Sequence, residues 1–188
     1  MTSKQIENLS EKQFDESWQP AIALFWKRFN TRYFDQIDVL LTNSKTKSTC
    51  GFLVTSIDCV LIETIEQFYL GEDETKSIDT SYFNFFSRAN SLNGIFETTK
   101  DAGKFAGLIR SGLLHQAKTK KSSIINIKKE TPIIGWIDID NKNLGFKINR
   151  NLFHKCVKQE YSNYVEQLKQ PENSDLRNKF KTKMLSII

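Results

Sequence analysis

The segment FAGLIRSGLLHQAKTKKSS, residues 105–123, contains side chains suited to charge stabilisation and proton transfer. Arg110 and His115 lie five residues apart, with Ser111 between them. Arginine binds phosphate oxygens through a planar fork of N–H groups, and histidine gives or takes a proton near neutral pH. On an ideal α-helix the two residues lie about 140° apart, so only the long arginine side chain can bring them together. Ser111 shares the face of His115 and is expected to support the pair by hydrogen bonding.

A purely structural explanation of this pair stays open. A histidine near the C-terminus of a helix is favoured there by the helix dipole. Gly112, between the two residues, costs about 1 kcal/mol relative to alanine inside a helix. A common reason to keep such a glycine is the close approach of another backbone or of a ligand.

Two carboxylates interrupt the otherwise apolar segment CGFLVTSIDCVLIETIEQFYLG, residues 50–71. A buried carboxylate needs a partner, so Asp58 and Glu63 are candidates to support Arg110, with Glu63 orienting its guanidinium. The alternative is that both lie on a solvated edge of the helix. Downstream of His115, Lys118, Lys120 and Lys121 form a basic run that either attracts a nucleic acid backbone or is a plain solvated loop.

A second arginine and histidine, Arg150 and His154, lie four residues apart in NRNLFH. Asn149, just before them, is a typical helix N-cap. We therefore interpret this stretch as the start of a helix and not as a second site.

Apolar periodicity predicts the elements that position these residues. It predicts helices over residues 21–42, 50–70, about 98–118 and 151–168, and a short aromatic helix near TSYFNFFSRA that Asp79 or Thr80 could cap. Short β-branched runs between residues 122 and 149 predict a β-hairpin with its turn at NKN, residues 141–143, and room for a third strand. We expect a single domain over residues 1–188, mainly α, with a core of about 21–168 and a basic C-terminal helix or tail over 171–188.

Composition excludes several classes of protein. The three cysteines, Cys50, Cys59 and Cys156, have no metal-ligand spacing, so neither a disulfide framework nor a metal site is expected. Neither a signal peptide nor a segment able to cross a bilayer is expected, which points to a cytoplasmic protein without membrane contact. The net charge of +5 permits a polyanionic partner without requiring one. The sequence suggests no cofactor.

The order of these motifs resembles the HEPN superfamily, whose signature is an arginine, four to six residues and a histidine. The resemblance rests on LIETIEQFYLG, RSGLLHQAKT, a β insert with GWID, and INRNLFHKCVKQEYSNYVEQL, and covers residues 21–168. It implies a helical bundle that forms a homodimer and joins two arginine–histidine pairs in one site. Many members are metal-independent ribonucleases in phage defence or toxin systems, with an antitoxin or sensor protein as a further partner. In this chain Ser111 follows the arginine, where the family commonly has Asn, Asp or His.

The resemblance predicts an endoribonuclease in which Arg110 binds the scissile phosphate and His115 transfers protons. A different hypothesis is a non-catalytic module that binds a nucleotide, an RNA or a protein through the same residues. A third is a structural adaptor whose interface is the aromatic helix carrying Tyr82, Phe83, Phe85 and Phe86. The sequence identifies neither the substrate RNA nor a protein that regulates the activity.

Overall fold

Helices form most of the protein. The computed structural model describes residues 2–10, 14–138, 142 and 144–188. Mainly α architecture is confirmed, with one small sheet placed before the last two helices. The α-helices are α1 (Ser3–Glu7), α2 (Gln19–Phe29), α3 (Asp35–Thr42), α4 (Gly51–Leu70), α5 (Ile78–Arg88), α6 (Thr99–Phe105), α7 (Ser111–Gln116), α8 (Arg150–Leu168) and α9 (Ser174–Ile187).

Wider π-helical turns join some of these helices end to end. The segment Asn30–Phe34 connects α2 to α3, Ala106–Arg110 connects α6 to α7, and Phe14–Trp18 precedes α2. The helices predicted over 21–42 and 98–118 are therefore present, but each contains a π turn that apolar periodicity does not reveal. Such turns are frequent at functional sites, and Arg110 is the last residue of one of them.

Local capping chemistry sets most of the helix ends. Asn149 caps α8, since its side-chain oxygen accepts the N–H of Leu152 at 3.2 Å. Gly71 ends α4 in the left-handed conformation, at φ 71°. The predicted cap of the aromatic helix is wrong, because the hydroxyl of Ser77 accepts the N–H of Thr80 and starts α5 earlier than Asp79 or Thr80 would.

The sheet contains β1 (Ile124–Asn126), β2 (Ile134–Ile137) and β3 (Gly145–Asn149), in the order β1-β3-β2. β2 and β3 pair antiparallel, as a hairpin requires, with Trp136 opposite Phe146. β1 is the third strand and pairs parallel to β3. Asn141 and Asn143 of the predicted turn lie outside the described residues.

An aromatic core packs between the helices. α4 and α8 run side by side, and the hydroxyls of Tyr161 and Tyr164 donate to backbone carbonyls of α4 at 2.9 and 3.3 Å. The core extends beyond residues 21–168, because Ile6 and Met184 are fully buried in it. Tyr82, Phe85 and Phe86 are buried as well, so the hypothesis of an adaptor surface on the aromatic helix is wrong for these rings.

One side of α4 faces solvent, although its sequence predicts a helix buried almost all round. Phe52, Leu53 and Val60 are exposed, at 45%, 52% and 40% of their surface. Among the described residues, none of the helices combines the length and the apolar character needed to cross a membrane.

Candidate active site

Arg110 and His115 are in direct contact. The Nη1 atom of Arg110 lies 3.3 Å from Nε2 of His115. The wide turn before them contributes to this geometry, because the N–H of Ser111 bonds to the carbonyl of Ala106, five residues back. The two side chains that lie about 140° apart on an ideal α-helix thus converge at the end of α7.

Glu63 on α4 orients the guanidinium. Its Oε1 accepts from Nε of Arg110 at 2.8 Å and its Oε2 accepts from Nη2 at 3.2 Å. This two-point fork fixes both the position and the plane of the guanidinium, which a single contact would not do. Both side chains are largely shielded from water, with 18% of Arg110 and 12% of Glu63 exposed. Of the two carboxylates considered on α4, the structure brings Glu63 to Arg110.

Arg110 keeps free donors despite these contacts. A guanidinium carries five N–H groups, and three of them are used by Glu63 and His115. Within the described part of the chain, one N–H on Nη1 and one on Nη2 have no protein partner. The hydrogen bond with Glu63 raises the pKa of Arg110 further above its ordinary value, so the group is charged at every accessible pH. The remaining edge can therefore bind an anion.

The contact with Arg110 also orients the ring of His115. A guanidinium only donates hydrogen bonds, so Nε2 of His115 is the acceptor in this contact. His115 is exposed at the surface. A substrate therefore has access to an imidazole whose orientation is set by a neighbouring cation.

The structure does not give Ser111 the supporting role expected of it, but it does explain Gly112. Within the described residues the hydroxyl of Ser111 makes no hydrogen bond to Arg110 or His115, and the structure gives it no supporting contact. Gly112 is required by the close approach of another backbone, as its position suggested. A Cβ on Gly112 would lie 2.4 Å from the carbonyl oxygen of Lys118.

The basic run folds back against the same helix. The N–H of Lys118 donates to the carbonyl of Gly112 at 3.3 Å, and the N–H of Lys120 to that of Leu108 at 2.9 Å. The chain reverses its direction here through Ala117 and Lys121, which both have left-handed backbone at φ 52°. Lys118 and Lys121 are exposed and Lys120 is half-buried. These cations are therefore held beside the helix that carries Arg110 and His115.

Asp58 does not support Arg110. It is fully buried and bonds instead to His154 on α8, with 2.7 Å between its Oδ1 and Nδ1 of the imidazole. Burial raises the pKa of Asp58, and the hydrogen bond with His154 opposes that shift in part. His154 is 3% exposed, so the pair links α4 to α8 inside the protein and is closed to a substrate.

Arg150, the other member of the second arginine–histidine pair, is also buried. Its guanidinium donates to the carbonyl of Lys47 at 2.8 Å and to Sγ of Cys50 at 3.0 Å. These contacts fasten the start of α8 to the loop before α4. The interpretation of this stretch as a helix start and not a second site agrees with this placement.

Exposed apolar residues lie on the two helices that carry the site. Leu114, the neighbour of His115, is 37% exposed, and Leu53 and Val60 are exposed on α4, the helix of Glu63. We name Leu53, Val60 and Leu114 the apolar rim. The sequence missed the α4 part of this rim, because an apolar residue on a strongly apolar helix is indistinguishable by type from a core residue.

Within the part of the chain that the structure describes, no three His, Cys, Asp or Glu side chains cluster as a metal site would require. We compared the chain with protein-family models, with curated proteins and with solved structures, and none of the three gave a match.

Proposed function

We propose that this protein is a HEPN-like endoribonuclease that acts as a homodimer. The observation that carries the proposal is the contact between Arg110 and His115 at the surface, with Glu63 holding the arginine from behind. It is the arrangement expected of a group that binds a phosphate beside a group that transfers a proton. The placement in phage defence or a toxin system rests on the sequence resemblance alone.

RNA supplies its own nucleophile in this mechanism. The 2′-hydroxyl loses its proton to a base and attacks the adjacent phosphorus, while an acid protonates the departing 5′-oxygen. Arg110 uses its two free N–H groups to stabilise the negative charge that develops on the phosphate. The products are a 2′,3′-cyclic phosphate and a 5′-hydroxyl end. DNA lacks the nucleophile and is not cleaved.

A dimer supplies the second proton-transfer group. One protomer has a single exposed histidine, His115, among its described residues, because His154 is buried. A two-fold axis beside the apolar rim would place two copies of Arg110 and His115 around one phosphate, with one imidazole as base and the other as acid. The rim offers the apolar surface that such an interface buries.

The lysines beside the helix suit the backbone of an RNA strand. Lys118, Lys120 and Lys121 carry three positive charges next to the proposed site. Binding that depends on such contacts weakens steeply with salt, because each neutralised phosphate releases counterions.

The test is cleavage of total cellular RNA by the purified protein in EDTA. Arg110→Ala and His115→Ala are each expected to lower the rate at least a hundredfold, because each removes a group that acts on the reacting atoms. Arg32→Ala and Gln116→Ala, which alter exposed residues, are the matched controls and keep the activity. Circular dichroism and sedimentation establish that every variant is folded and has the same oligomeric state.

The binding-module hypothesis has one observation in its favour: among the described residues, Ser111 makes no hydrogen bond to Arg110 or His115. Under that hypothesis the wild type leaves RNA intact, and Arg110→Ala weakens binding of a labelled single-stranded RNA without any turnover to lose. Cleavage by Arg110→Ala and His115→Ala at the wild-type rate would contradict the ribonuclease proposal.

A further inference from the structure

A second pocket lies where α5 ends against the middle of α8, and it shares no residue with the Arg110–His115 site. Its volume is about 240 Å³. It is lined by Ala89, Asn90, Ser91, Cys156, Gln159, Glu160 and Asn163. The proposed ribonuclease chemistry makes no use of it.

Glu160 contributes a buried carboxylate to this pocket. The residue is 3% exposed, and its Oε1 accepts from Nδ2 of Asn163 at 2.9 Å. Burial raises the pKa of Glu160, and the attraction of Arg88 only partly offsets this. The hydrogen bond that this carboxylate accepts comes from the neutral amide of Asn163 and brings no compensating charge.

The charges behind the pocket do not balance. Arg88 donates to Glu66 and lies over the ring of Tyr69, 3.6 Å from its centroid. This guanidinium is thus ion-paired with Glu66, and among the described residues it acts on Glu160 through its charge without a hydrogen bond. No lysine or arginine lines the pocket among the described residues. Lys155, an exposed residue of the same helix, lines the neighbouring cleft with Trp26.

The remaining groups of the pocket suit a cation. The side chains of Asn90 and Gln159 offer amide oxygens and Ser91 offers a hydroxyl. Oδ1 of Asn163 already accepts from Nε2 of Gln159 at 2.9 Å and keeps one further lone pair. The pocket also lies at the C-terminal end of α5, where the helix dipole favours positive charge.

Other ligand classes fit less well. A nucleobase would lack a stacking platform, because no aromatic ring lines the pocket among the described residues. Calcium needs six to eight oxygen ligands, usually several of them carboxylates, and this pocket has one carboxylate. A phosphate would be repelled by Glu160.

We propose that this pocket binds the primary ammonium group of a small alkylamine, with Glu160 as its counter-ion and the amide oxygens as further acceptors. A free amine and a lysine side chain share this chemistry. A free amine and a lysine side chain differ in the groups attached next to the ammonium, so the experiment uses one compound of each kind.

The test is calorimetric titration of the full-length protein with 1,4-diaminobutane and, separately, with Nα-acetyl-lysine amide, at constant ionic strength. 1,4-Butanediol is the uncharged probe of the same length. At least one of the two amines is expected to bind, and the diol is not. Preference for diaminobutane indicates a free amine, and preference for the lysine derivative indicates a lysine of a protein ligand.

Two variants test the assignment to the pocket. Glu160→Gln keeps the shape of the side chain and is expected to weaken amine binding at least tenfold. Glu166→Gln removes the same charge from an exposed position on the same helix and leaves the affinity unchanged. Asn90→Leu, at an exposed residue of the pocket wall, is expected to weaken binding without touching the buried charges.

The result that overturns the proposal is absence of binding of both amines to the wild type, or equal affinity of the wild type and Glu160→Gln. Because the readout is binding and not cleavage, it is independent of the ribonuclease proposal.

Discussion

At the scale of single residues, the candidate site depends on which acid reaches the arginine. Glu63 and Asp58 both lie on α4, but five residues separate them, which turns one about 140° from the other around the helix axis. Glu63 therefore meets Arg110 while Asp58 meets His154 on α8. The rotation of one helix decides which carboxylate belongs to the site.

Glu63→Gln tests the positioning of Arg110. The amide keeps one oxygen acceptor but loses the charge and half of the fork, so the guanidinium is held less firmly. We expect kcat for RNA cleavage to fall by about tenfold to a hundredfold, with a smaller change in KM. Glu72→Gln, at a carboxylate that pairs with exposed Lys76 instead of Arg110, is the control.

A purely structural role for Glu63 would give a different result. In that case Glu63→Gln would lower the free energy of unfolding and leave kcat of the folded fraction unchanged. Chemical denaturation followed by tryptophan fluorescence, together with kcat and KM, separates the two outcomes.

At the scale of elements, the helix from Thr99 to Gln116 is shaped by a π turn and by a returning loop. The loop passes so close to Gly112 that no side chain fits there, whereas a Cβ on Gly107 meets nothing within 4 Å. Gly112 and Gly107 of this helix therefore differ in the reason for their presence.

Substitution by alanine distinguishes these glycines. Gly112→Ala pushes the Lys118 carbonyl away and is expected to destabilise the protein by about 1–3 kcal/mol. Gly107→Ala is the matched control, and it is expected to stabilise by up to about 1 kcal/mol because alanine favours helix. Denaturant unfolding of both variants measures the difference. An unchanged stability in Gly112→Ala would contradict the close approach of the loop.

At the scale of the whole molecule, the proposed function needs two copies of the chain. The apolar rim lies on the same helices as Glu63 and His115, and we propose that an interface there brings together the arginine and histidine of both protomers. The residues of the rim are exposed in a single chain, so we expect their substitution to leave the core intact.

Val60→Glu tests this interface. A carboxylate buried without a partner between two protomers is strongly unfavourable, so we expect a monomer and at least a tenfold loss of cleavage. Val39→Glu is the matched control, since Val39 is 62% exposed on α3 and lies outside the rim. Analytical ultracentrifugation and the cleavage assay are the measurements. A wild type that is monomeric but active, or a dimeric Val60→Glu, would refute the role of this surface.

Sequence alone determined the features that depend on near neighbours along the chain. Apolar spacing located the main helices, Asn149 marked the start of one of them, and Arg110 with His115 identified the candidate chemistry. The need for Gly112 followed from the cost of a glycine inside a helix. Each of these rests on residues within a few positions of one another, where local geometry limits the possible arrangements.

Tertiary structure alone decided the contacts between distant residues. Glu63 bonds to Arg110 across 47 positions of the chain, and Asp58 to His154 across 96. The exposed side of α4 and the buried rings of α5 likewise depend on which helices pack together. Residue type gives the possible partners of a charge, but the rotation and packing of whole helices select one, because only the folded chain sets those distances.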